Sequence, residues 1–470
     1  MMAETSERML HTDAFSWYME SDPGLRSTVV AVALADRAPD WEYLKQRVER
    51  ATRLVPHFRA VVEPPPWRLG PPRWIVDERF SIDYHMRRIV LPEPADWDAV
   101  LAQARLAAMS DFDRDRPLWE LTLLEGLPDG KAAIMTKMHH SLTDGIGGID
   151  VLGLIIDGTR EMAPLADLPI PGGSSTGVVS TVWSTLRDNS GDLASAAKSS
   201  GAAILKSPAA VVHPMDTAGV LWRATRSVAR VVQPILRQAS PLMTERRMIR
   251  ELATMDVPLD DMRRAAARCD GHLNDAFLAG VTGGLRRYHS DRDVEIGELR
   301  VTMPVSVRRP GDGLGGNRIT LLRFALPAGL ADPAERIAAI ARTSRAWQRE
   351  PALAYTQPIA FALNLVPRSY IQGVLRRVDF VASDVPGLTG RVYVAGARIE
   401  AYYPFGPTIG TALNATLMSY VDMCNIGLNV DTGAVPDVAD LVGHLRDGFD
   451  EVLALAKHRA KAPRPATAAG

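Results

Sequence analysis

The segment His139-His140-Ser141-Leu142-Thr143-Asp144-Gly145 places two adjacent imidazoles, a carboxylate and a glycine in one short stretch. An imidazole, with an unperturbed pKa of about 6.5, can take a proton from a hydroxyl near neutral pH. As a general base, His140 would need its ring held in one orientation and tautomer, with a donor placed to meet a developing oxyanion. Asp144 could orient the histidine directly, or pair with an arginine and hold the loop shut. Gly145 frees the backbone for a tight turn or for close approach of a substrate. Transfer of an acyl group from a thioester to an alcohol has these needs, because the thioester is already activated and the alcohol is the poor nucleophile. The same residues could instead be polar groups at a strand end, or a His-His-Asp metal set. Nothing nearby supplies further ligands, so metal binding is the weakest reading and no metal is expected. Spacing alone leaves catalysis and the strand-end reading both open.

The surrounding sequence predicts what holds these residues. Residues 118–124 and 132–138 read as strands joined by Glu125-Gly126-Leu127-Pro128-Asp129-Gly130, whose Pro and Asp-Gly are turn chemistry. Past Asp144, the residues Ile149, Leu152 and Ile156 recur at helical spacing, so the histidines fall on a strand-to-helix connection. Upstream, 40–54 reads as a helix with Asp40 as N-cap. Later come a helix at 274–288, a strand at 299–307, a helix at 333–350, strand-rich sequence at 380–429 and a closing helix at 438–457. Asn274-Asp275 would cap the first of these helices. Residues 166–240 turn to Ala, Ser, Gly and Thr with several prolines and read as a connecting region with its own helices. The glycine-rich stretch 311–316 follows a strand without a phosphate-binding helix after it and reads as a loop.

A chain of 470 residues suits two domains, here 1–165 and 241–470 flanking the connecting region. Mixed α and β segments in both halves predict an α/β fold with a substrate channel where the halves meet. With 46% hydrophobic and 23% charged residues and a net charge of −1, the chain offers no global attraction to nucleic acid. Two distant cysteines, Cys269 and Cys424, suit a reducing compartment rather than a disulfide scaffold. The polar start, Met1 to Arg8, lacks a secretory layout, and the apolar-leaning run 352–366 is broken by Gln357, Pro358 and Asn364. A cytoplasmic protein without a transmembrane span is expected. One segment is locally basic: 216–250 carries seven arginines against Asp216 and Glu245, a net +5. Within it, 220–238 puts Arg223, Arg226, Arg230 and Arg237 on one helical face, which reads either as a solvated face or as a peripheral membrane contact.

His-His-x-x-x-Asp-Gly resembles the signature of the chloramphenicol-acetyltransferase-like acyltransferase superfamily, shared with peptide-synthetase condensation domains. Pro117-Leu118-Trp119-Glu120 leading into Glu125-Gly126-Leu127, then a strand and the histidine motif, is similar to the bacterial wax ester synthase/diacylglycerol acyltransferase family. Further matches follow in order: Asp13-Ala14-Phe15, Pro56-His57-Phe58-Arg59, Asn274-Asp275-Ala276-Phe277, Met303-Pro304-Val305-Ser306-Val307-Arg308, Gly316-Asn317-Arg318, Ser383-Asp384-Val385-Pro386-Gly387 and Tyr393-Val394-Ala395-Gly396-Ala397.

The resemblance implies two chloramphenicol-acetyltransferase-like mixed-sheet domains with a channel at their interface. It implies acyl-CoA as co-substrate with no cofactor, and diacylglycerol or a long-chain alcohol as acceptor, with a membrane or lipid-inclusion surface as a partner. His140 matches the general base, His139 its supporting histidine, and Asp144 and Gly145 the loop-shaping positions. Arg308 matches an arginine that salt-bridges the motif aspartate in related condensation domains. Pro117, Leu118 and Trp119 would border the acyl or acceptor pocket, and Asn274 would lie near the bound substrates. One departure stands out: the family reads Ser-Asn-Val-Pro-Gly where this chain has Asp384. The change alters acceptor handling if the position lines the channel and is nearly silent if it is a turn residue, the reading favoured here because Asp and Asn both suit turns. Two rival readings remain, a condensation-type enzyme using carrier-bound acyl donors and a non-catalytic lipid-binding relative.

Overall fold

A computed structural model of the chain describes residues 6–65, 71–170, 237–306, 319–348, 356–364 and 366–457. The first half is built on a six-stranded sheet in the spatial order β12 (Tyr393–Val394), β13 (Ala397–Phe405), β2 (Thr28–Ala35), β7 (Ala132–His139), β6 (Trp119–Glu125) and β5 (Met86–Val90). Both faces are covered, which is why β2 reads as an unbroken apolar run. On one face Ala33, Ala35 and Leu123 meet Leu44 and Val48 of the helix Trp41–Leu54. On the other, Val30, Val32 and Leu124 meet Val100 and Ala104 of the helix Trp97–Met109. Asp40 caps the first of these helices, its carboxylate accepting the Tyr43 N–H at 2.8 Å. A small sheet of β1 (Ser6–Arg8), β4 (Arg73–Val76) and β3 (Ala60–Glu63) lies alongside.

The second half carries a six-stranded sheet in the order β10 (Ile319–Leu326), β9 (Leu299–Ser306), β11 (Phe380–Leu388), β14 (Leu413–Tyr420), β15 (Met423–Asp431) and β8 (Arg250–Pro258). One face packs on the helices Leu259–Arg268, Leu273–Ser290 and Val438–Lys457. The last two cross backbone to backbone: a Cβ added at Gly284 would lie 2.5 Å from the Leu445 Cα, and one at Gly448 would lie 2.3 Å from the Gly284 nitrogen. The parallel strands β9 and β11 pair only at Val301–Phe380 and Thr302–Val381. Beyond that point they part, and the sheet opens.

Several expectations meet a different structure. The division at 241 does not hold in space, because β12 and β13 leave the second half and complete the first sheet, β13 running antiparallel to β2. Strand β13 is also stitched to the second sheet: the Tyr402 N–H donates to Asn425 Oδ1 at 3.1 Å, the Tyr403 hydroxyl to Asp256 at 2.8 Å, and Asn429 Nδ2 to the Gly406 carbonyl at 2.9 Å. The helix at 274–288 begins at Leu273, and His272 rather than Asn274 is its N-cap. Asp275 sits in the first turn and accepts the His272 N–H at 2.9 Å. Asp384 is not in a turn but in β11, paired with Leu417 ahead of a register shift between Val385 and Leu388. Arg308, the loop 311–316 and nearly all of the connecting region, including 220–236, lie outside the described residues.

Candidate active site

Strand β7 ends at His139, and the chain turns through Ser141–Thr143 into the helix Gly145–Leu152. Neighbouring backbone fixes both histidines. The His139 N–H donates to the Leu118 carbonyl at 3.0 Å and the His140 N–H to the Ser27 carbonyl at 2.9 Å. The helix that follows is capped by Asp144, which is buried and accepts the Gly147 N–H at 2.8 Å. A Cβ at Gly145 would approach a Val385 methyl to 3.1 Å, so the motif of the first half touches β11 of the second through the smallest residue.

His139 is 1% exposed. Its Nδ1 accepts the Ser141 N–H at 3.1 Å, with the Ser141 hydroxyl at 2.7 Å, which leaves the ring proton on Nε2. That nitrogen faces Glu20 Oε2 at 3.3 Å, a contact too oblique for a good hydrogen bond. Glu20 also accepts the Ser27 N–H at 2.6 Å and the Thr28 hydroxyl at 3.0 Å. Burial pushes the Glu20 carboxyl up, but His139, Ser27 and Thr28 together outweigh it and hold the group below the usual glutamate value.

His140 is half-buried and lines a cavity of about 410 Å³ between the two halves. Its Nδ1 is buried and has no hydrogen-bond partner among the described residues. Burial pushes its pKa below the usual histidine value, and the nearby Asp144 charge offsets this only in part. The ring is therefore neutral at pH 7 and able to accept a proton. The cavity wall brings together His139, His140, Asp144 and Gly145 from the first half with Ser383, Asp384 and Val385 from the second. Ile359 and Leu363 of the helix Thr356–Asn364, and Ile371 and Val374 of the helix Arg368–Leu375, give it an apolar side. A larger recess of about 710 Å³, between Trp97, Tyr403, Asp256 and Arg446, holds none of the motif residues.

Other residues singled out in the sequence lie elsewhere. Pro117, Leu118 and Trp119 are buried behind the motif instead of on the cavity wall. The Trp119 indole donates to the Phe58 carbonyl at 2.8 Å and stacks on His85 at 4.5 Å, which uses up its polar edge and one face. Asn274 is half-buried with its amide 3.7 Å from the Met303 sulfur, in the helical layer and off the cavity wall. All four residues thus stand off the cavity wall that His140 lines. Among the described residues one group is spaced to hold a metal, Asp291, Asp440 and His444, and Arg292 already donates to Asp440 at 2.7 Å there. It shares no residue with the motif. Sequence reasoning missed Glu20, whose role depends on the end of the helix His11–Met19 meeting the end of β7. It also missed Arg323, a cavity-lining arginine whose pKa burial pushes down.

A family model described as the wax ester synthase/diacylglycerol acyltransferase catalytic domain matches residues 1–277. A second, the WS/DGAT C-terminal domain, matches residues 315–452. A protein of Mycobacterium tuberculosis H37Rv named as a diacylglycerol O-acyltransferase is 34% identical over 463 residues, covering 95% of this chain and 92% of the relative. The solved wax ester synthase/diacylglycerol acyltransferase of Marinobacter aquaeolei VT8 superposes with a TM-score of 0.64 at 22% identity, covering 96% of this chain and 99% of that one. The first condensation domain of the calcium-dependent antibiotic synthetase superposes equally well, with a TM-score of 0.64 at 13% identity over 97% of each chain.

Proposed function

Because the chain belongs to the wax ester synthase/diacylglycerol acyltransferase family, we propose that it is an acyl-CoA-dependent O-acyltransferase that esterifies diacylglycerol, a long-chain alcohol, or both, with His140 as general base. The observation that carries this reading is a backbone-anchored His140 facing a largely apolar cavity between the two halves. His140 takes the proton of the acceptor hydroxyl as that oxygen attacks the thioester carbonyl. The tetrahedral intermediate collapses, the C–S bond breaks, and the leaving CoA thiolate takes the proton back from His140. His139, held through Nδ1 by Ser141 with the Glu20 carboxylate facing its Nε2, and Asp144, capping the next helix, are positioning residues. Arg308 as a partner of Asp144 remains part of this proposal.

Association with a lipid surface belongs to the same reading. No described helix is long and apolar enough to cross a membrane. Met248, Ile249 and Tyr370 are exposed at 43%, 53% and 46%. Arg247 precedes Met248 in the chain, Arg376 and Arg377 follow the helix that carries Tyr370, all three are exposed, and Tyr370 also lines the cavity. Apolar side chains among arginines beside a cavity opening suit an anionic lipid surface.

The test is labelled palmitoyl-CoA given to the purified protein with diacylglycerol and hexadecanol in competition, followed by separation of the products. Labelled triacylglycerol or wax ester with release of free CoA is expected. Transfer only from an acyl-carrier donor would favour the condensation-type reading, and a trapped acyl-serine or acyl-cysteine enzyme would rule out direct transfer.

A further inference from the structure

Beside the His140 cavity lies a second one of about 30 Å³, and the two share a wall. Three elements run from one into the other. Ala31 of β2 lines the His140 cavity, and Ala33, the next residue on that face of the strand, lines the smaller one. Met138 and Ile134 stand in the same relation on β7, as do Ile149 and Leu152 on the helix Gly145–Leu152. Tyr402 of β13 and Met418 of β14 line both cavities and so form the partition between them.

Tyr402 lies across the passage as a bar. It pairs with Ala33 of β2, and its hydroxyl meets that of Thr136 on β7. Strand β2 runs between β13 and β7, so the tyrosine side chain spans it, over a floor of small alanines. Behind the bar the walls are apolar. The Tyr420 hydroxyl there is already engaged, donating to the Ile399 carbonyl at 2.9 Å and accepting the Val392 N–H at 3.1 Å. A void of this size could take one water molecule, but its polar groups serve one another, and an alkyl group suits it better. From Thr28, which pairs with His139, to Ala33, which pairs with Tyr402, β2 advances about 17 Å at the rise of a strand. A long alkyl chain whose reacting end lies at His140 can run along this floor until it meets Tyr402. On the reading of the protein as an O-acyltransferase, we infer that the two cavities are one alkyl-chain tunnel interrupted by Tyr402, the specificity-determining stop that limits the chain length accepted.

The test uses three variants of the full chain. Tyr402→Ala removes the bar, Tyr402→Phe keeps the ring and loses only the hydroxyl, and Ala31→Val raises the floor ahead of it. Calorimetry measures binding of acyl-CoAs from octanoyl to eicosanoyl and of alcohols from octanol to eicosanol, each series alone and below its micellar concentration. Turnover is then measured on the acyl-CoAs with hexadecanol and on the alcohols with palmitoyl-CoA. In the wild type one series should gain about fourfold in affinity for each methylene that finds room, up to a limiting length and not beyond. Tyr402→Ala should move that limit to longer chains, Tyr402→Phe should leave it in place, and Ala31→Val should move it to shorter ones. A moved limit in the acyl-CoA series gives the tunnel to the donor chain, and one in the alcohol series gives it to the acceptor; either supports the inference. An unmoved limit in both series, or the same shift from Tyr402→Phe as from Tyr402→Ala, overturns it. Should Tyr402→Ala fail to fold, Ala31→Val decides alone. The binding arm needs no acyl transfer. A moved limit without turnover would therefore contradict the proposed reaction and leave this inference standing, whereas turnover with an unmoved limit would do the reverse.

Discussion

A histidine base works best when its proton affinity lies near or below the working pH, and the burial of His140 provides such a shift. Protonation removes the base, so kcat/KM should be level at neutral pH and fall as pH drops through a midpoint below the usual histidine value. A pH–rate profile checks this, and an acid limb centred above about 6.5 would contradict the burial argument. The same shift makes folding stability fall with pH in that range, because the unfolded chain binds the proton first. Glu20 gives a second residue-level prediction. Its lowered carboxyl contributes stability that is present above the unfolded glutamate value, about 4.3, and is lost as pH falls through the lower folded one. Glu20→Gln removes the charge that faces His139 and should lower kcat several-fold, with little change in KM for palmitoyl-CoA. A rise in KM alongside the fall in kcat would point to general damage instead. The histidines, Asp144 and Gly145 were legible in the sequence because they form one local motif. Glu20 was not, since its meaning depends on a contact between distant segments that no local pattern encodes.

At the scale of elements, legibility followed local chemistry. The Asp40 cap, the Pro128-Asp129-Gly130 turn and the helix after Asp144 come from short-range rules, and the structure has each of them. Asp384 failed the same kind of reading. Pro386 and Gly387 suggest a turn, but they form an irregularity at the end of β11, and the residues before it stay in register with β14. Only the pairing partner decides between turn and strand there. The crossing of Leu273–Ser290 and Val438–Lys457 allows a stability prediction. A Gly284→Val side chain would collide with the Leu445 backbone, which cannot swing aside as a flexible side chain can. It should cost about 1–3 kcal/mol or more, seen as a lower denaturation midpoint. An unchanged midpoint would mean that the helices can separate without loss.

At the scale of the whole molecule, the crossover of β12 and β13 was the least legible feature, because strand propensity marks a strand but not the sheet it joins. The crossover matters for the site. Strand β13 pairs with β2, whose neighbour β7 ends in the motif, and it is bonded sideways to β8 and β15 of the second sheet. The cavity between the halves is thus held from both sides. The exposed Met248, Ile249 and Tyr370 among arginines predict binding to anionic vesicles that weakens with salt. Arg247→Glu combined with Arg376→Glu should reduce co-sedimentation with such vesicles, and undiminished sedimentation would remove this surface from the account. The measurement that bears most directly on the central claim is acyl transfer from palmitoyl-CoA by His140→Ala, with its fold verified by circular dichroism. Loss of turnover by roughly 10²–10⁴-fold, with palmitoyl-CoA binding retained, is the predicted result. Turnover equal to wild type would contradict the assignment of His140 as the base.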